Sequence, residues 1–300
     1  MKASAPSMSA SQTAEKASWM GYFELTKPRL TALVLVTTLV GLYVGAQESI
    51  SCVLMLNTLI GTALVAGGAA ALNQLLEREH DAKMRRTEAR PLPSGRLQPE
   101  AVLVFGGVCS AVGLIYLAAA VNLLTSVLGA ITLVSYLFVY TPLKRVTPLN
   151  TVIGAIPGAL PPLMGWTAVR GEVTGEGWAL FGILFFWQLP HFLAIGWIYR
   201  EEYAKAGFAM LPVIDVEGSR TGRQAVSHTL GLLTVSLAPF VFKLAGVLYL
   251  AGALGLGMAF IWFAIQFSRH LTKWHARQLF YTSIIYLPLL LGLMVLDKVK

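Results

Sequence analysis

The sequence has little charge for its length. Charged residues make up 13% of the 300 positions, whereas soluble chains carry roughly 25%. Hydrophobic residues account for 56%, and the mean hydropathy is +0.66. This composition excludes an ordinary soluble domain and indicates a membrane protein.

Cysteine is also scarce. Cys52 and Cys109 are the two cysteines, and no CxxC pattern joins them. We therefore expect neither a disulfide nor a cysteine metal site. Residues 1–24 are largely polar and lack the apolar core of a secretory signal. We predict a disordered cytoplasmic tail over residues 1–24 and a single transmembrane domain over residues 25–300.

Apolar runs of bilayer-spanning length fill the rest of the chain. A membrane helix needs about 20 such residues. The sequence predicts an all-α, polytopic membrane helical bundle of about nine transmembrane helices around a central cavity. The cavity is inferred from the glycines and prolines of TVIGAIPGALPPLMGW, which a membrane tolerates where a helix lines an enclosed space. The predicted spans are Leu30–Ala46, Val53–Leu72, Ala101–Val121, Leu123–Tyr140, Thr151–Ala168, Trp178–Ile198, Thr229–Val247, Tyr249–Phe267 and Leu279–Leu296.

The positive charge follows the predicted membrane topology. The net charge is +8, and most of the 23 Lys and Arg residues fall in the N-terminal segment and in the loops after the second, fourth, sixth and eighth spans. The positive-inside rule places these segments in the cytoplasm. The basic balance is thus explained by a lipid bilayer, and we expect no nucleic-acid partner.

One charged loop, NQLLEREHDAKMRRTEARPLPSGR, follows the second span. If the helix continues past Leu72, then Asn73, Glu77 and Asp81 lie on one stripe, four residues apart. Oxygen ligands at this spacing suit Mg²⁺, which usually shares them with substrate phosphates. Charged residues at helical spacing are more often a solvated face, but acids at a membrane boundary favour a functional role. Arg86 and Arg90 repeat the same step and suit phosphate oxygens, so the implied ligand is a diphosphate.

Three other segments carry candidate residues. Lys27 is interpreted as an anchor at the start of the first span. Lys144 and Arg145, in YTPLKRVTPLN, are equally consistent with topology determinants and with phosphate binding. His191, in WQLPHFLAIGW, is either a hydrogen-bonded packing residue or a ligand or proton-transfer group. The cytoplasmic loop after this sixth span contains Glu202 and is the second of two acidic loops.

Together these motifs resemble a known family. The pattern N-x-x-x-E-x-x-x-D-x-x-M-x-R-T-x-x-R-P-L-P-S-G at 73–95 is similar to the first motif of the UbiA superfamily of intramembrane prenyltransferases. YTPLKRVTPLNTVIGAIPGALPPLMGW, and PHF followed by YREEYAKAGFAMLPV, resemble its haem-modifying branch. The resemblance covers most of the chain from Leu25 onward.

The resemblance implies an Mg²⁺-dependent enzyme of the cell inner membrane. Such an enzyme joins the farnesyl group of farnesyl diphosphate to a vinyl group of protohaem IX, with addition of water, and a haem A synthase is an expected partner. The roles implied for individual residues are Mg²⁺ binding and catalysis for Asn73, Glu77 and Asp81, catalysis for Glu202, diphosphate binding for Arg86, Arg90, Lys144 and Arg145, and haem binding for His191. Glu202 is the counterpart offered for a second metal position, because the chain lacks the D-x-x-x-D of quinone prenyltransferases here.

Two alternatives remain at this point. A quinone or chlorophyll prenyltransferase shares the first motif but has an aspartate-rich second loop, where this chain has REEY. A secondary transporter also has Gly/Pro-broken spans, but its binding groups lie near the bilayer midplane. The acids and arginines here gather at one face instead.

Overall fold

The computed structural model describes residues 19–299. In this part of the chain, nine helices are long and apolar enough to cross a membrane, which confirms the predicted fold class. We label them α1 to α9 in chain order. Their bounds are Pro28–Gly45, Cys52–Asp81, Pro99–Ala120, Leu123–Leu143, Asn150–Arg170, Gly175–Ile198, Ser219–Val241, Val247–His270 and Lys273–Leu296.

Residues 1–18 of the predicted tail lie outside the described residues. Residues 19–25 are helical, and Leu25 at the end of this segment is buried, so the described part of the tail, residues 19–24, differs from the prediction. Leu25 packs with Ala71, Leu92, Leu97 and Val102. These contacts stabilise the segment against α2 and the loop that follows it.

Helix α2 is unusually long. Its 30 residues extend roughly 45 Å at the α-helical rise, against about 30 Å for the hydrocarbon core. No proline or glycine interrupts the chain between Gly68 and Pro91, so the helix continues past its apolar part and ends at Asp81. Its last turns therefore carry the predicted acidic stripe beyond the lipid.

Helices α5 and α6 form the centre of the bundle and are its two most buried spans. A side chain at Gly41 of α1 would collide with the carbonyl oxygen of Pro162, and one at Gly165 would collide with that of Thr38. The glycines thus let α1 and α5 approach at backbone distance. Despite three internal prolines, α5 is helical from Asn150 to Arg170.

The seventh span was predicted too late in the sequence. It was expected at Thr229–Val247, but α7 runs from Ser219 to Val241. Its first turns are polar, so they were not recognised when spans were predicted from runs of apolar residues. The helix start is fixed by Asp215, whose Oδ2 accepts hydrogen bonds from the Thr221 backbone N–H and hydroxyl at 2.7 and 2.8 Å.

Candidate active site

The acidic stripe of α2 faces the protein interior. The exposed fractions of Asn73, Glu77 and Asp81 are 1%, 4% and 2%. A buried carboxylate is unfavourable unless it is paired and hydrogen-bonded. The structure therefore excludes a solvated helix face for these residues and requires partners for them.

Cations from three separate segments supply those partners. Lys144 Nζ lies 2.8 Å from Glu77 Oε1, and Arg90 Nη1 lies 2.6 Å from Asp81 Oδ2. Lys27 Nζ donates to Asn73 Oδ1 at 3.0 Å. Arg90 and Lys144 thus neutralise the two carboxylates, and Lys27 adds a third basic group that can pair with an anionic ligand such as a diphosphate.

Two of these lysines have shifted pKa values. Burial, reinforced by the nearby Arg90, lowers the pKa of Lys27 to about 7. Burial opposes the charged form of Lys144 as well, but Tyr140 and the Glu77 carboxylate outweigh it and raise the pKa of Lys144. Lys144 therefore remains a permanent cation beside Glu77.

Lys27 was interpreted from the sequence only as a topology anchor. The structure also places it beside the acidic stripe, in contact with Asn73. It has a left-handed backbone with φ of 47° immediately before Pro28. Such strain in a residue other than glycine concentrates at functional sites. The sequence showed only a lysine at the start of a span, and the positive-inside rule was a sufficient explanation for it.

The end of α4 provides a second contact that sequence reasoning missed. Asn73 Nδ2 donates to Thr141 Oγ1 at 3.1 Å, and the Thr141 hydroxyl donates to the Tyr136 carbonyl at 2.8 Å. Residues Ser135–Tyr140 form a π-helix, a distortion that is frequent at functional sites. Thr141 was part of the quoted YTPLKR motif, which was the available signal.

The second acidic loop, after α6, lies directly over the first acidic loop, after α2. Arg86 Nη2 donates to the Tyr203 hydroxyl at 2.9 Å, and its guanidinium stacks over the Tyr199 ring at 5.5 Å. Met84 is buried in a cluster with residues of the second loop, including Phe208. The structure therefore brings together the two loops that the sequence placed on one face.

Glu202 also lies in this second loop. Its Oε2 atom is buried and has no hydrogen-bond partner among residues 19–299. A buried carboxylate oxygen without a partner is costly. The free Glu202 oxygen suits contact with a bound ligand.

The residues present suit Mg²⁺. Within residues 19–299, no three His, Cys, Asp or Glu side chains converge as a metal-ligand group. Mg²⁺, however, is commonly bound by one or two carboxylates together with substrate phosphates. Glu77 and Asp81 on one buried stripe, the Asn73 amide and the unpartnered Glu202 oxygen provide oxygen ligands of this kind.

Two predicted site residues lie apart from this cluster. Arg145 is exposed and donates to the carbonyl oxygen of Leu76 at 3.2 Å. His191 forms a 2.7 Å hydrogen bond with Ser283 of α9, and its ring stacks on Trp187 and Phe280 at 5.0 Å. These contacts join α6 to α9 and do not include the acidic stripe.

Comparisons with known proteins show the family to which the chain belongs. Residues 34–287 match the UbiA prenyltransferase family. The chain belongs to the UbiA prenyltransferase family. It is 48% identical over 286 residues to the protoheme IX farnesyltransferase of Solibacter usitatus, covering 92% of this chain and 98% of that relative. It is 45% identical over 288 residues to that of Koribacter versatilis, covering 92% and 93%.

Solved structures share the family fold at low sequence identity. A digeranylgeranylglyceryl phosphate synthase structure aligns with a TM-score of 0.80 at 18% identity, covering 93% of this chain and 98% of that one. A UbiA homolog from Archaeoglobus fulgidus bound to DMAPP and Mg²⁺ aligns with a TM-score of 0.65 at 16% identity, covering 91% and 98%. The UbiA fold predicted from the motifs is thus confirmed.

Proposed function

We propose that this chain transfers the farnesyl group of farnesyl diphosphate to a vinyl group of protohaem IX and releases diphosphate. The observation that carries the proposal is the pairing of Glu77 with Lys144 and of Asp81 with Arg90 on one buried stripe. The relatives named protoheme IX farnesyltransferase support the choice of substrates.

The cations of the site stabilise the negative charge of the leaving diphosphate. The bond between farnesyl C1 and the diphosphate oxygen breaks as negative charge develops on the leaving group. Arg90 and Lys144, held by Asp81 and Glu77, and Arg86, held by Tyr203, are the cations that would stabilise that charge. Lys27 extends this positive surface, while Arg145 stays a weaker candidate because of its exposed position.

Asn73, Glu77 and Asp81 would hold a metal ion together with the diphosphate, and Glu202 is proposed for a second metal position. When bound, Mg²⁺ would add positive charge at the phosphate oxygens. Because Glu77 is paired with Lys144 and Asp81 with Arg90, the two carboxylate charges are compensated without the metal.

The apolar part of the substrate needs protection from water. An allylic cation reacts with water unless the cavity around it is dry until the vinyl carbon has attacked. The buried helices α5 and α6 supply apolar walls for such a space. The vinyl π electrons then form a carbon–carbon bond to farnesyl C1, which leaves a cation on the inner vinyl carbon. Water adds to that carbon and loses one proton, which gives the hydroxyl of the product.

The setting of the enzyme follows from the charge distribution. We place the N-terminal segment and both active-site loops in the cytoplasm and the bundle in the cell inner membrane, since basic residues cluster on that face. A haem A synthase is the proposed downstream partner. His191 keeps its predicted role on the haem side as a proposal that rests on resemblance.

The direct test uses membranes that contain the protein. They are incubated with protohaem IX and farnesyl diphosphate, with and without Mg²⁺, and the extracted haem is analysed by mass spectrometry. We expect an Mg²⁺-dependent gain of one farnesyl group and one hydroxyl group. Unmodified haem, together with prenylation of an added quinone precursor, would contradict the proposal and favour a quinone-type enzyme.

A further inference from the structure

A groove lies beside α6, outside the acidic site. It is a cavity of about 170 Å³ between α6, the start of α5, the start of α7 and the loop before α7. We call it the α7 groove. Its apolar wall includes Leu189, Leu193 and Leu211, and its polar wall is Arg220, Gln224 and His228.

The polar residues form one stripe on α7. Arg220, Gln224 and His228 are four residues apart, so they follow one helix face over roughly 12 Å. The ring contact recorded for His228 among the described residues is a loose one with Phe186, at 6.3 Å. His228 lies more than two turns inside the span, and ionisable residues inside a membrane helix are rare and usually serve a ligand or a proton path.

The groove shares a wall with the diphosphate site. The backbone N–H of Ala209 donates to the Lys144 carbonyl at 2.7 Å, and Asn150 Nδ2 donates to the Ala209 carbonyl at 3.1 Å. The same two segments continue to Leu149 and Leu211, which line the groove. A ligand in the groove would therefore lie next to the segment that carries Lys144.

We propose that the α7 groove binds the metalloporphyrin substrate, with Arg220 pairing with a propionate carboxylate and His228 facing the iron. This inference rests on the proposed function. A porphyrin is flat and apolar, with carboxylates at one edge and the metal at its centre. The groove offers an apolar wall from α5, α6 and the loop before α7, and along α7 the Arg220 guanidinium followed by the His228 imidazole. Guanidinium binds carboxylate through paired hydrogen bonds, and imidazole is a common haem ligand. The cavity holds one edge of the ring, and the remainder would lie over the exposed Leu149.

The orientation of α6 separates this site from His191. Leu189 and Leu193 face the groove, whereas a residue two positions from each lies about 200° around the helix. His191 accordingly contacts Ser283 and Phe280 of α9. A porphyrin in the groove would thus meet His228 directly, and His191 would act on the haem side indirectly, by fixing α6 against α9.

The test measures haem binding by the full-length protein in lipid nanodiscs. Ferric protohaem is titrated while the Soret band is recorded. We expect His228→Ala to shift the band and Arg220→Ala to weaken binding by about tenfold, the size expected for loss of a charge-assisted pair. Added imidazole should restore the band in His228→Ala. His270→Ala and Arg223→Ala are matched controls, because both residues are exposed and neither lines the groove.

Iron-free protoporphyrin IX separates the two roles. Its binding should depend on Arg220 but not on His228. The milder variants Arg220→Lys and His228→Gln, with binding of a non-cleavable farnesyl diphosphate analogue, show whether a loss reflects misfolding. Analogue binding should stay at the wild-type level in all folded variants.

The outcomes distinguish the two proposals. If the wild-type protein neither binds nor farnesylates protohaem, the proposed function fails. If the wild type does both while the Arg220 and His228 variants behave like the controls, the groove assignment is overturned and the proposed function stands.

Discussion

Lys144 donates a 2.8 Å hydrogen bond to Glu77, although the two residues lie 67 positions apart in the sequence. The pair joins the end of α4 to the last turns of α2 and buries both charges. Removing one partner of a buried ion pair leaves an uncompensated charge, whereas removing both can be nearly neutral. The pair therefore allows stability and activity to be separated by experiment.

Lys144→Met should destabilise the protein, because Glu77 would remain buried without its cation. We expect a loss of about 3–5 kcal/mol, measured as a lower unfolding midpoint in detergent. The double variant Lys144→Met with Glu77→Gln should recover most of that midpoint but not turnover. A double variant with near-normal turnover would show that the pair is structural only.

Glu77→Gln or Asp81→Asn should abolish farnesyl transfer while leaving a folded protein in the membrane. Either change removes a charged ligand, and we expect a loss of about a hundredfold or more, as for other fixed electrostatic groups of active sites. Initial rates with saturating farnesyl diphosphate measure the effect. Glu79→Gln is the control on the same helix, because Glu79 is exposed. Near-normal rates in the purified Glu77→Gln/Asp81→Asn double variant would remove the metal assignment.

The stripe on α2 could be predicted because it depends on local rules. A helix that meets no breaker continues, and residues four apart share a face, so Asn73, Glu77 and Asp81 were placed correctly on one stripe. The family fold could be predicted as well, because each span and each motif is contiguous in the sequence. The pattern also predicted that the two charged loops share a face, and Arg86 does contact Tyr203.

The partners of the stripe depend on tertiary packing and could not be predicted from spacing. Lys144 and Arg145 are adjacent and chemically alike in the sequence, yet Lys144 turns inward to Glu77 and Arg145 outward to the Leu76 carbonyl. Lys27 was explained by topology alone until its contact with Asn73 was seen. The start of α7 was missed because its polar residues line a groove instead of lipid.

Chelation of Mg²⁺ should stop turnover without unfolding the protein. Glu77 and Asp81 each retain a cation as partner when the metal is absent, so their repulsion is already compensated. Activity in EDTA should fall to background and return with excess Mg²⁺. The unfolding midpoint without substrate should change by no more than about 2 °C, which corresponds to about 1 kcal/mol. A large fall in that midpoint would mean that the metal is part of the fold.

Lys27→Met should weaken binding of farnesyl diphosphate. The substitution removes one of three basic groups around the stripe and frees Asn73 Oδ1. We expect KM for farnesyl diphosphate to rise about tenfold, as for loss of one charge-assisted contact. Arg29→Met is the matched control, since Arg29 lies two positions away and is exposed. An equal effect of both substitutions would return Lys27 to the role of topology anchor.

His191→Ala tests the role that resemblance assigned to this histidine. We expect it to impair use of haem more than binding of farnesyl diphosphate, because its hydrogen bond to Ser283 and its two ring contacts fix the packing of α6 on α9. Ser283→Ala removes the hydrogen bond while leaving the imidazole in place, so it separates the ring itself from its orientation. If His191→Ala loses activity and Ser283→Ala does not, the imidazole acts directly on the haem side. If both variants only lower the unfolding midpoint, while haem affinity and turnover stay unchanged, His191 is a packing residue.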